Sequence, residues 1–304
     1  MQNMIMAKAD TDKLTVLENE PMSRHTSWRA GGAARRYIQT ASKEALAEYI
    51  AGLGEDEPLL WMGLGSNTLV RDGGFNGTVI ATQGVMTDMQ LLENNRVYAG
   101  AGVPGAKLAR FCSRHGLSGA EFFAGIPGLL GGALAMNAGA FGGETWPLVV
   151  EVETMNRKGE IIRRNASEFS YGYRHVEGPR EEWFVSATLQ LQPVKEKQAG
   201  AIDIKALLAK RSASQPTGVA SCGSVFRNPQ GDYAARLIES CGLKGRRIGG
   251  AVVSAKHANF IINDRNATAA DIESLIELVQ REVEKQQGVL LQTEVRIVGD
   301  RKEA

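Results

Sequence analysis

The chain of 304 residues lacks the sequence features of several large protein classes. No run of Lys and Arg exceeds two and the formal net charge is +1, so nothing indicates binding to nucleic acid or to an anionic membrane. The three cysteines form no C-x-x-C pair, which indicates neither a disulfide framework nor a zinc site. The four histidines lack metal-ligand spacing, and residues 1–10 lack the apolar segment of a secretory signal. The default expectation is a cytoplasmic protein without a metal.

Glycine is abundant instead, and the densest stretch is the uncharged run Phe122–Gly143, F-F-A-G-I-P-G-L-L-G-G-A-L-A-M-N-A-G-A-F-G-G. This run is long enough to span a membrane, but seven glycines, a proline and an asparagine would make a poor transmembrane helix. Glycine is used where a backbone approaches another group closely or adopts a positive φ. We expect this backbone to lie against a large ligand; the alternative is a tightly packed turn of the core.

Two further glycine turns support a ligand. In Trp61–Val70, apolar residues enter and leave a G-L-G-S-N turn, whose backbone N–H groups can bind an anion and in which Ser66 and Asn67 add side-chain donors. The turn is neither a Rossmann fingerprint nor a P-loop, because Thr68 replaces the third glycine and no G-K-[ST] follows. A third turn lies at Ala99–Pro104. Together they predict a diphosphate-bearing cofactor held by loops.

Short strand and helix patterns predict an α+β fold. Predicted helices cover Lys43–Ala51 with Ser42 as N-cap, Ala106–His115, a segment from Asp232 to Cys241, and an amphipathic segment from Thr268 to Gly288. Predicted strands lie near 58–62, 78–82 and 96–99 and over Val149–Asn156, Glu160–Arg164, Trp183–Leu191, Ile248–Val253, Asn259–Ile262 and Leu291–Val298. The polar stretch Gln192–Ile204 is predicted to be a domain boundary.

Three polar groups could carry chemistry, and each has a simpler explanation. The segment Ser221–Pro229 places two serines around a glycine, a turn that is also common in protein cores. Arg174 follows the aromatic residues of Phe169–Tyr173, where its guanidinium could simply extend over the rings into solvent. Glu294 could be an ordinary charge on a strand.

The order of the motifs is far more specific than any one of them. It runs T-S-W-R-A-G-G from Thr26, G-L-G-S-N-T-L-V from Gly63, G-I-P-G-L-L-G-G-A-L-A-M-N-A-G-A-F-G-G-E from Gly125, Y-G-Y-R from Tyr171, S-C-G-S-V-F-R-N-P from Ser221 and L-Q-T-E-V-R from Leu291. This series resembles the UDP-N-acetylenolpyruvoylglucosamine reductase (MurB) family over roughly residues 20–299.

The resemblance implies a fold and a domain organisation. The fold would be a vanillyl-alcohol-oxidase/PCMH-type FAD-binding fold in two subdomains plus a smaller α/β substrate-binding domain. The FAD-binding region would cover residues 1–200, divided near residue 95, and the substrate-binding domain residues 201–290. Residues 291–304 would form a strand that returns to the FAD region.

The resemblance also implies an activity. FAD would bind non-covalently, and NADPH would reduce it and leave. Hydride would then pass from flavin N5 to the enolpyruvyl C3 of a nucleotide sugar, UDP-N-acetylglucosamine-enolpyruvate, with a proton added at C2. The product would be UDP-N-acetylmuramate, a peptidoglycan precursor. The chain would act as a cytoplasmic monomer without a metal, a nucleic-acid partner or a membrane partner.

The matching positions assign roles to individual residues. Ser224 would donate the proton, and Arg174 and Glu294 would flank the developing enol. The cofactor would contact Gly63, Gly65, Ser66, Asn67, Gly125, Ile126, Pro127, Gly128, Gly131, Gly132, Asn137, Gly139 and Ala140. The substrate would contact Tyr173, Arg227, Asn228, Lys256 and His257.

The chain departs from the family pattern at one position. Ser214 precedes Gln215-Pro216 where related short sequences often have Lys, so Arg211 or Arg227 could contact the substrate phosphate instead. No insertion separates the G-S-V-F segment from the last helix, which indicates the short, type II form.

Two other interpretations stay open. One is another FAD-linked oxidase or dehydrogenase of the same fold, a class that often binds FAD covalently through a histidine. The other is a non-catalytic module that binds a flavin or a nucleotide sugar. The joint presence of Ser224, Arg174 and Glu294 argues against the module.

Overall fold

The computed structural model describes residues 14–40, 42–194 and 204–302, which form three packed units. The predictions about residues 1–10 and about most of the boundary at Gln192–Ile204 lie outside the described residues. No described helix is both long and apolar enough to cross a membrane. The glycine-rich run Phe122–Gly143 is instead divided among several short elements.

The first unit is a four-stranded sheet with one helix and one further short strand. Its elements are β1 (Thr15–Pro21), β2 (Ala33–Gln39), α1 (Lys43–Ala51), β3 (Leu59–Met62), β4 (Thr68–Val70) and β5 (Phe75–Ala81). The sheet has the order β1-β2-β5-β3, with β5 parallel to both neighbours. The predicted cap of α1 is confirmed, because the Ser42 hydroxyl accepts the Ala45 N–H at 3.1 Å. Strand β3 ends at Met62, so the G-L-G-S-N turn projects from its carboxyl end.

The second unit is a five-stranded antiparallel sheet covered by helices. Its elements are β6 (Met89–Leu92), β7 (Arg96–Gly100), α2 (Gly105–Arg114), β8 (Leu117–Ser118), α3 (Leu130–Met136), β9 (Gly139–Ala140), β10 (Gly143–Glu144), β11 (Val149–Asn156), β12 (Ile161–Asn165), β13 (Ser170–Gly172), β14 (His175–Glu177), β15 (Glu182–Gln190) and β16 (Gln192–Pro193). The order of the large sheet is β12-β11-β15-β7-β6, which confirms the predicted antiparallel strands. Helices α2 and α3 and a 3₁₀ turn at Glu121–Gly125 bury Leu108, Leu130 and Leu134 in one core with the sheet.

The third unit combines helices with a small antiparallel sheet. Its elements are α4 (Ile204–Ser214), α5 (Ala234–Ser240), β17 (Arg247–Ile248), β18 (Ala251–Val253), β19 (Ile261–Asn263), α6 (Ala269–Gln287) and β20 (Arg296–Val298). The predicted start and end of α6 are confirmed by a capping box at Thr268 and by Gly288 at φ +67°. Its predicted apolar face, Ile272, Leu275, Ile276, Val279 and Val283, is fully buried.

Three predicted elements differ from the structure. Helix α5 begins at Ala234 rather than after Asp232, because the Asp232 carboxylate pairs with Arg236 and the Asn228 Oδ1 accepts the Ala234 N–H at 3.1 Å. The predicted strand Ile248–Val253 is a hairpin of β17 and β18 that turns at Gly249, where φ is +50°.

The predicted strand Leu291–Val298 joins a regular ladder only over Arg296–Val298, which pairs parallel with β4. Its first half lies instead beside the S-C-G-S-V-F segment. There the Glu294 N–H donates to the Val225 carbonyl at 2.7 Å, and the Arg227 N–H donates to the Gln292 carbonyl at 2.9 Å.

The first and third units share a continuous core. Trp28 is completely buried among third-unit residues, and its indole donates to the Ile261 carbonyl at 2.8 Å. The Asp72 carboxylate accepts the Ala269 and Ala270 N–H groups at 3.0 and 2.8 Å, at the start of α6. These contacts fix the S-C-G-S-V-F segment relative to the glycine turn after β3.

Candidate functional site

A cavity of about 630 Å³ lies where the three units meet. This volume is within the range of roughly 300–1,000 Å³ that is typical of small-molecule and cofactor sites. Strand β3 and the following turn form one wall, the segment from Gly125 to Ala140 forms another, and β15 and third-unit residues complete it.

The cavity brings together almost all the residues that the sequence assigned to a cofactor. These are Gly63, Gly65, Ser66, Asn67, Gly125, Ile126, Pro127, Gly128, Gly131, Gly132, Gly139 and Ala140, and only Asn137 is missing from the lining. The three predicted catalytic residues, Ser224, Arg174 and Glu294, line the same cavity.

The turn after β3 presents backbone donors. Gly65 adopts φ +58°, and Ser27 holds two carbonyls of the turn through bonds to Leu64 O at 3.4 Å and Gly65 O at 3.0 Å. Within the described ranges, the N–H groups of Gly65, Ser66 and Asn67 donate to no protein acceptor. Adjacent free N–H groups in a turn of this kind form an anion-binding nest, so this turn (Gly65–Asn67, the nest) suits a pyrophosphate.

The side chains of Ser66 and Asn67 bond within the protein. The Ser66 hydroxyl donates to the Pro127 carbonyl at 2.7 Å, and the Asn67 amide donates to the Glu294 carbonyl at 3.2 Å. Both donors are therefore engaged within the protein. They connect the nest to the glycine-rich wall and to the segment that carries Glu294.

Gly132 leaves open space for a ligand. It lies in α3, and a Cβ atom added there would meet no protein atom within 4 Å. Alanine is favoured over glycine inside a helix by about 1 kcal/mol, and neither packing nor a positive φ demands glycine here. The residue is explained if a bound group needs the space beside α3.

We predict that Gly132→Ala stabilises the flavin-free protein by up to about 1 kcal/mol and weakens FAD binding. Overfilling a well-packed site costs about 1–3 kcal/mol. Thermal unfolding and FAD titration measure the two effects, with Gly54→Ala as the control because its Cβ would also meet no protein atom but lies away from the cavity. Unchanged FAD affinity in Gly132→Ala would remove this position from the site.

The polar atoms of the Asn137 side chain bond within the protein. Its amide nitrogen donates to Glu144 Oε2 at 3.1 Å and Gly172 O at 3.0 Å, and its Oδ1 accepts the Trp146 N–H at 3.0 Å. Asn137 is completely buried and adopts φ +46° at the end of α3. Its role is to hold the turn that ends the helix.

Arg174 and Glu294 form a nearly buried ion pair at the cavity. Arg174 Nε lies 3.2 Å from Glu294 Oε1, and the two side chains are 18% and 12% exposed. The Arg174 guanidinium also donates to Gly139 O at 2.8 Å and Asn137 O at 3.3 Å. Burial raises the pKa of Glu294 above its usual value, while Arg174 and then Arg227 act to lower that pKa. The pair places one cation and one carboxylate at fixed positions on the cavity wall.

Ser224 lies beside this pair on a well-fixed backbone. It follows Gly223, where φ is +73°, and precedes Val225, whose N–H donates to Asn259 O at 2.9 Å and whose carbonyl accepts the Glu294 N–H. Within the described ranges the Ser224 hydroxyl has no hydrogen-bond partner, and the side chain is half-buried at the cavity. A free hydroxyl at this place is available to a bound substrate.

The predicted substrate residues lie outside the cavity lining. Tyr173 is 46% exposed, its ring lies 5.2 Å from the Arg174 guanidinium, and its hydroxyl accepts the Asn228 N–H at 3.4 Å. Asn228 also caps α5, as described above. Arg227 has a buried Nε without a partner in the described part of the chain.

Lys256 and His257 lie on the turn between β18 and β19. The Lys256 ammonium donates to Ser212 O at 2.5 Å, which connects this turn to α4. Burial, and then the charge of Lys244, lower the pKa of His257. Its ring packs edge-on against Phe260, which itself lines the cavity. Direct substrate contact by these two residues stays a prediction.

Sequence reasoning named Arg211 only as a possible contact of the substrate phosphate, and it missed several other residues that shape the site. Arg211 lines the cavity and donates to the Gly125 carbonyl, so its guanidinium supports the glycine-rich wall. Asn259 donates to Phe226 O at 2.8 Å and accepts the Phe226 N–H at 2.9 Å, which fixes the segment after Ser224. Trp61 and Trp183 line the cavity on the side of β3. No short-range pattern marks any of them.

Proteins of one kind match the chain along almost its whole length. A UDP-N-acetylenolpyruvoylglucosamine reductase of Legionella pneumophila (strain Lens) is 58% identical over 94% of this chain and 93% of that protein. The chain belongs to the UDP-N-acetylenolpyruvoylglucosamine reductase family. A reductase of Methylococcus capsulatus is also 58% identical, over 94% of both chains. Residues 215–298 match the family model of the C-terminal domain of this reductase, and residues 34–165 match the model of an FAD binding domain.

A solved structure of the same family supports the fold. The UDP-N-acetylenolpyruvylglucosamine reductase (MurB) of Thermus caldophilus is 29% identical, superimposes with a TM-score of 0.77, and covers 94% of this chain and 99% of that one. With the FAD-binding-domain match, it confirms the predicted α+β FAD-binding fold and the family resemblance. The residues present fit FAD, since the nest offers free donors to a pyrophosphate and the space beside Gly132 is open.

Proposed function

We propose that the chain catalyses the NADPH-dependent reduction of UDP-N-acetylglucosamine-enolpyruvate to UDP-N-acetylmuramate, a step in peptidoglycan precursor synthesis. The observation that carries the proposal is that one cavity joins the nest to Ser224, Arg174 and Glu294. FAD, when bound, would supply the hydride chemistry, taking hydride from NADPH and giving it to the enolpyruvyl group.

The residues of the chain bind and orient the reactants and manage charge. The nest and the wall from Gly125 to Ala140 hold the cofactor. Arg174 stabilises the negative charge that develops on the substrate carboxylate and enolate oxygens, and Glu294 holds the guanidinium in place. Ser224 donates the proton to C2. A serine hydroxyl is a weak acid, but the enolate is a strong base and the neighbouring cation favours the transfer.

Several expectations belong to this proposal. The nucleotide sugar is the partner, and the chain acts as a cytoplasmic monomer. The FAD region covers residues 1–200, the substrate domain residues 201–290, and residues 291–304 return to the FAD region, in line with the pairing of β20 with β4. The group of Tyr173, Asn228 and Arg227 next to the catalytic pair is the place where the rest of the substrate would lie.

A two-step absorbance titration of the purified protein tests the proposal. Addition of NADPH should bleach the flavin band, and addition of UDP-N-acetylglucosamine-enolpyruvate without oxygen should restore it, whereas UDP-N-acetylglucosamine should not. A flavin that NADPH cannot bleach would favour the non-catalytic module. A flavin that stays with the acid-denatured protein would favour a covalent oxidase.

A further inference from the structure

Glu294 lies where the chain passes from the third unit to the first. Just before it, Thr293 pairs with Phe226 in the segment that follows Ser224. Just after it, Arg296–Val298 pairs with β4 of the first unit. The regular ladder thus begins only two residues beyond Glu294, and other contacts must fix the backbone that carries this carboxylate. We call the segment 293–296 the crossing.

Asn67 holds the crossing on both sides of the carboxylate. Its side-chain amide donates to the Glu294 carbonyl at 3.2 Å, and its own carbonyl accepts the Arg296 N–H at 3.0 Å. The same amide nitrogen lies 3.6 Å from Met136 Sδ at the end of α3. The carbonyl of the next residue along the chain accepts the Arg174 guanidinium at 3.3 Å. One side chain therefore contacts a support of each partner of the catalytic pair.

The backbone of Asn67 also belongs to the nest. Within the described ranges its N–H is one of the adjacent donors without a protein acceptor, whereas its side-chain amide is bonded to the crossing. An anion bound by the nest would restrain the Asn67 backbone, and Asn67 in turn restrains Glu294 and Arg296. Two sites are coupled when both act on one element of a hydrogen-bond network. Here that element is Asn67.

We propose that Asn67 is a positioning residue that couples occupancy of the nest to the placement of Glu294 beside Arg174. The proposal rests on the FAD site and on the reaction proposed above. A pyrophosphate on the nest restrains Asn67, Asn67 restrains the crossing, and the Glu294 carboxylate then holds the Arg174 guanidinium, 3.2 Å away, toward the substrate. The Asn67 side chain itself touches no reacting atom. The catalytic pair is therefore fully ordered only when the cofactor is in place.

Asn67→Ala tests the proposal, because it removes the side-chain amide and keeps the backbone donors of the nest. FAD affinity and the rate of flavin reduction by NADPH should stay close to those of the wild type. Reoxidation by UDP-N-acetylglucosamine-enolpyruvate should slow by about 10- to 100-fold, since a misplacement of ~1 Å can cost that much. The product, UDP-N-acetylmuramate, should also bind the oxidised FAD-loaded variant more weakly, which the flavin absorbance reports at equilibrium without turnover. Equal slowing of both half-reactions, or wild-type reoxidation and product affinity, would overturn the proposal.

A double variant tests whether Asn67 acts through Glu294. In the Glu294→Gln background, Asn67→Ala should add little further slowing of reoxidation, because both changes act on one carboxylate. Losses that multiply in full would overturn the proposal. Asn263→Ala is the matched control, since its amide donates to the Trp28 carbonyl at 2.8 Å and lies outside the cavity lining. It should lower stability and leave FAD affinity, reoxidation and product affinity unchanged.

Amide hydrogen exchange of the flavin-free wild type tests the coupling without a variant and without turnover. Inorganic pyrophosphate is the probe, because it can occupy the nest and carries no flavin. It should slow exchange of the Glu294 and Arg296 N–H groups, which bond to Val225 O and Asn67 O, and leave β12 unchanged. No slowing, or the same slowing in Asn67→Ala, would overturn the proposal. A wild type that the nucleotide sugar cannot reoxidise would instead refute the proposed function, and the exchange result would still decide the coupling.

Discussion

In the Ser224→Ala variant, NADPH should reduce the flavin at nearly the wild-type rate, but the reduced flavin should transfer its electrons to the substrate much more slowly. Reoxidation by UDP-N-acetylglucosamine-enolpyruvate should slow by about 10²–10⁴-fold, the usual contribution of a general acid. Stopped-flow absorbance of the FAD-loaded enzyme separates the two half-reactions. This is the largest effect that we expect from a single substitution.

The reason lies in what each half-reaction demands of the protein. Hydride transfer from NADPH needs no protein acid, whereas reduction of the enolpyruvyl group leaves a carbanionic C2 that must gain a proton. The Ser224 hydroxyl lines the cavity without a protein partner in the described ranges, so its loss leaves no buried group unsatisfied. Ser224→Cys should retain part of the activity, because a thiol can donate a proton from nearly the same position.

The chain offers a close control for this experiment. Ser221 belongs to the same S-C-G-S segment but does not line the cavity. Ser221→Ala should therefore leave both half-reactions unchanged. If Ser224→Ala instead slows flavin reduction and reoxidation equally, the hydroxyl positions the reactants and the assignment as proton donor is wrong.

The glycine pattern predicts the cofactor wall because its cause is local. A segment that must lie against a ligand needs small residues in a continuous run, and Gly125–Ala140 supplies them within sixteen positions that can be read directly. Helix caps are local in the same sense, which is why Ser42 and Thr268 were predicted correctly. The prediction that Asp232 caps α5 was wrong, because the Ala234 N–H donates to Asn228 Oδ1 and the Asp232 carboxylate pairs with Arg236.

The parts of the fold and of the site that no local pattern predicts depend on contacts between distant parts of the chain. Trp28 inserts into the core of the third unit, and its indole donates to the carbonyl of Ile261, which is 233 residues away in the sequence. The ion pair of Arg174 with Glu294 joins positions that no spacing rule connects, and only the family resemblance indicated it. The glycine-rich surroundings of Asn137 predict a ligand contact, whereas the structure shows that its side chain bonds to Glu144, Trp146 and Gly172.

Glu294→Gln should fold, bind FAD and accept hydride from NADPH, yet reduce substrate about 10²–10³-fold more slowly, the typical loss for one positioned electrostatic group. The amide keeps the shape of the side chain but no longer holds the Arg174 guanidinium by charge. Arg174→Ala should slow the same step and also weaken FAD binding, because its bonds to Asn137 O and Gly139 O support the cofactor wall. Rapid-mixing measurements of each half-reaction, with FAD titration, distinguish the two variants.

The pH dependence of the stability of the Glu294→Gln variant is an independent test of the role of this carboxylate. Burial raises the folded-state pKa of Glu294, so the protonated carboxyl stabilises the fold at low pH, and this contribution is lost as the pH rises through the folded pKa. Gln resembles the protonated form at every pH. The variant should therefore gain stability relative to the wild type as the pH rises above the usual pKa of a glutamate. Parallel stability curves together with wild-type turnover in Glu294→Gln would mean that this carboxylate is an ordinary strand charge with no part in the reaction.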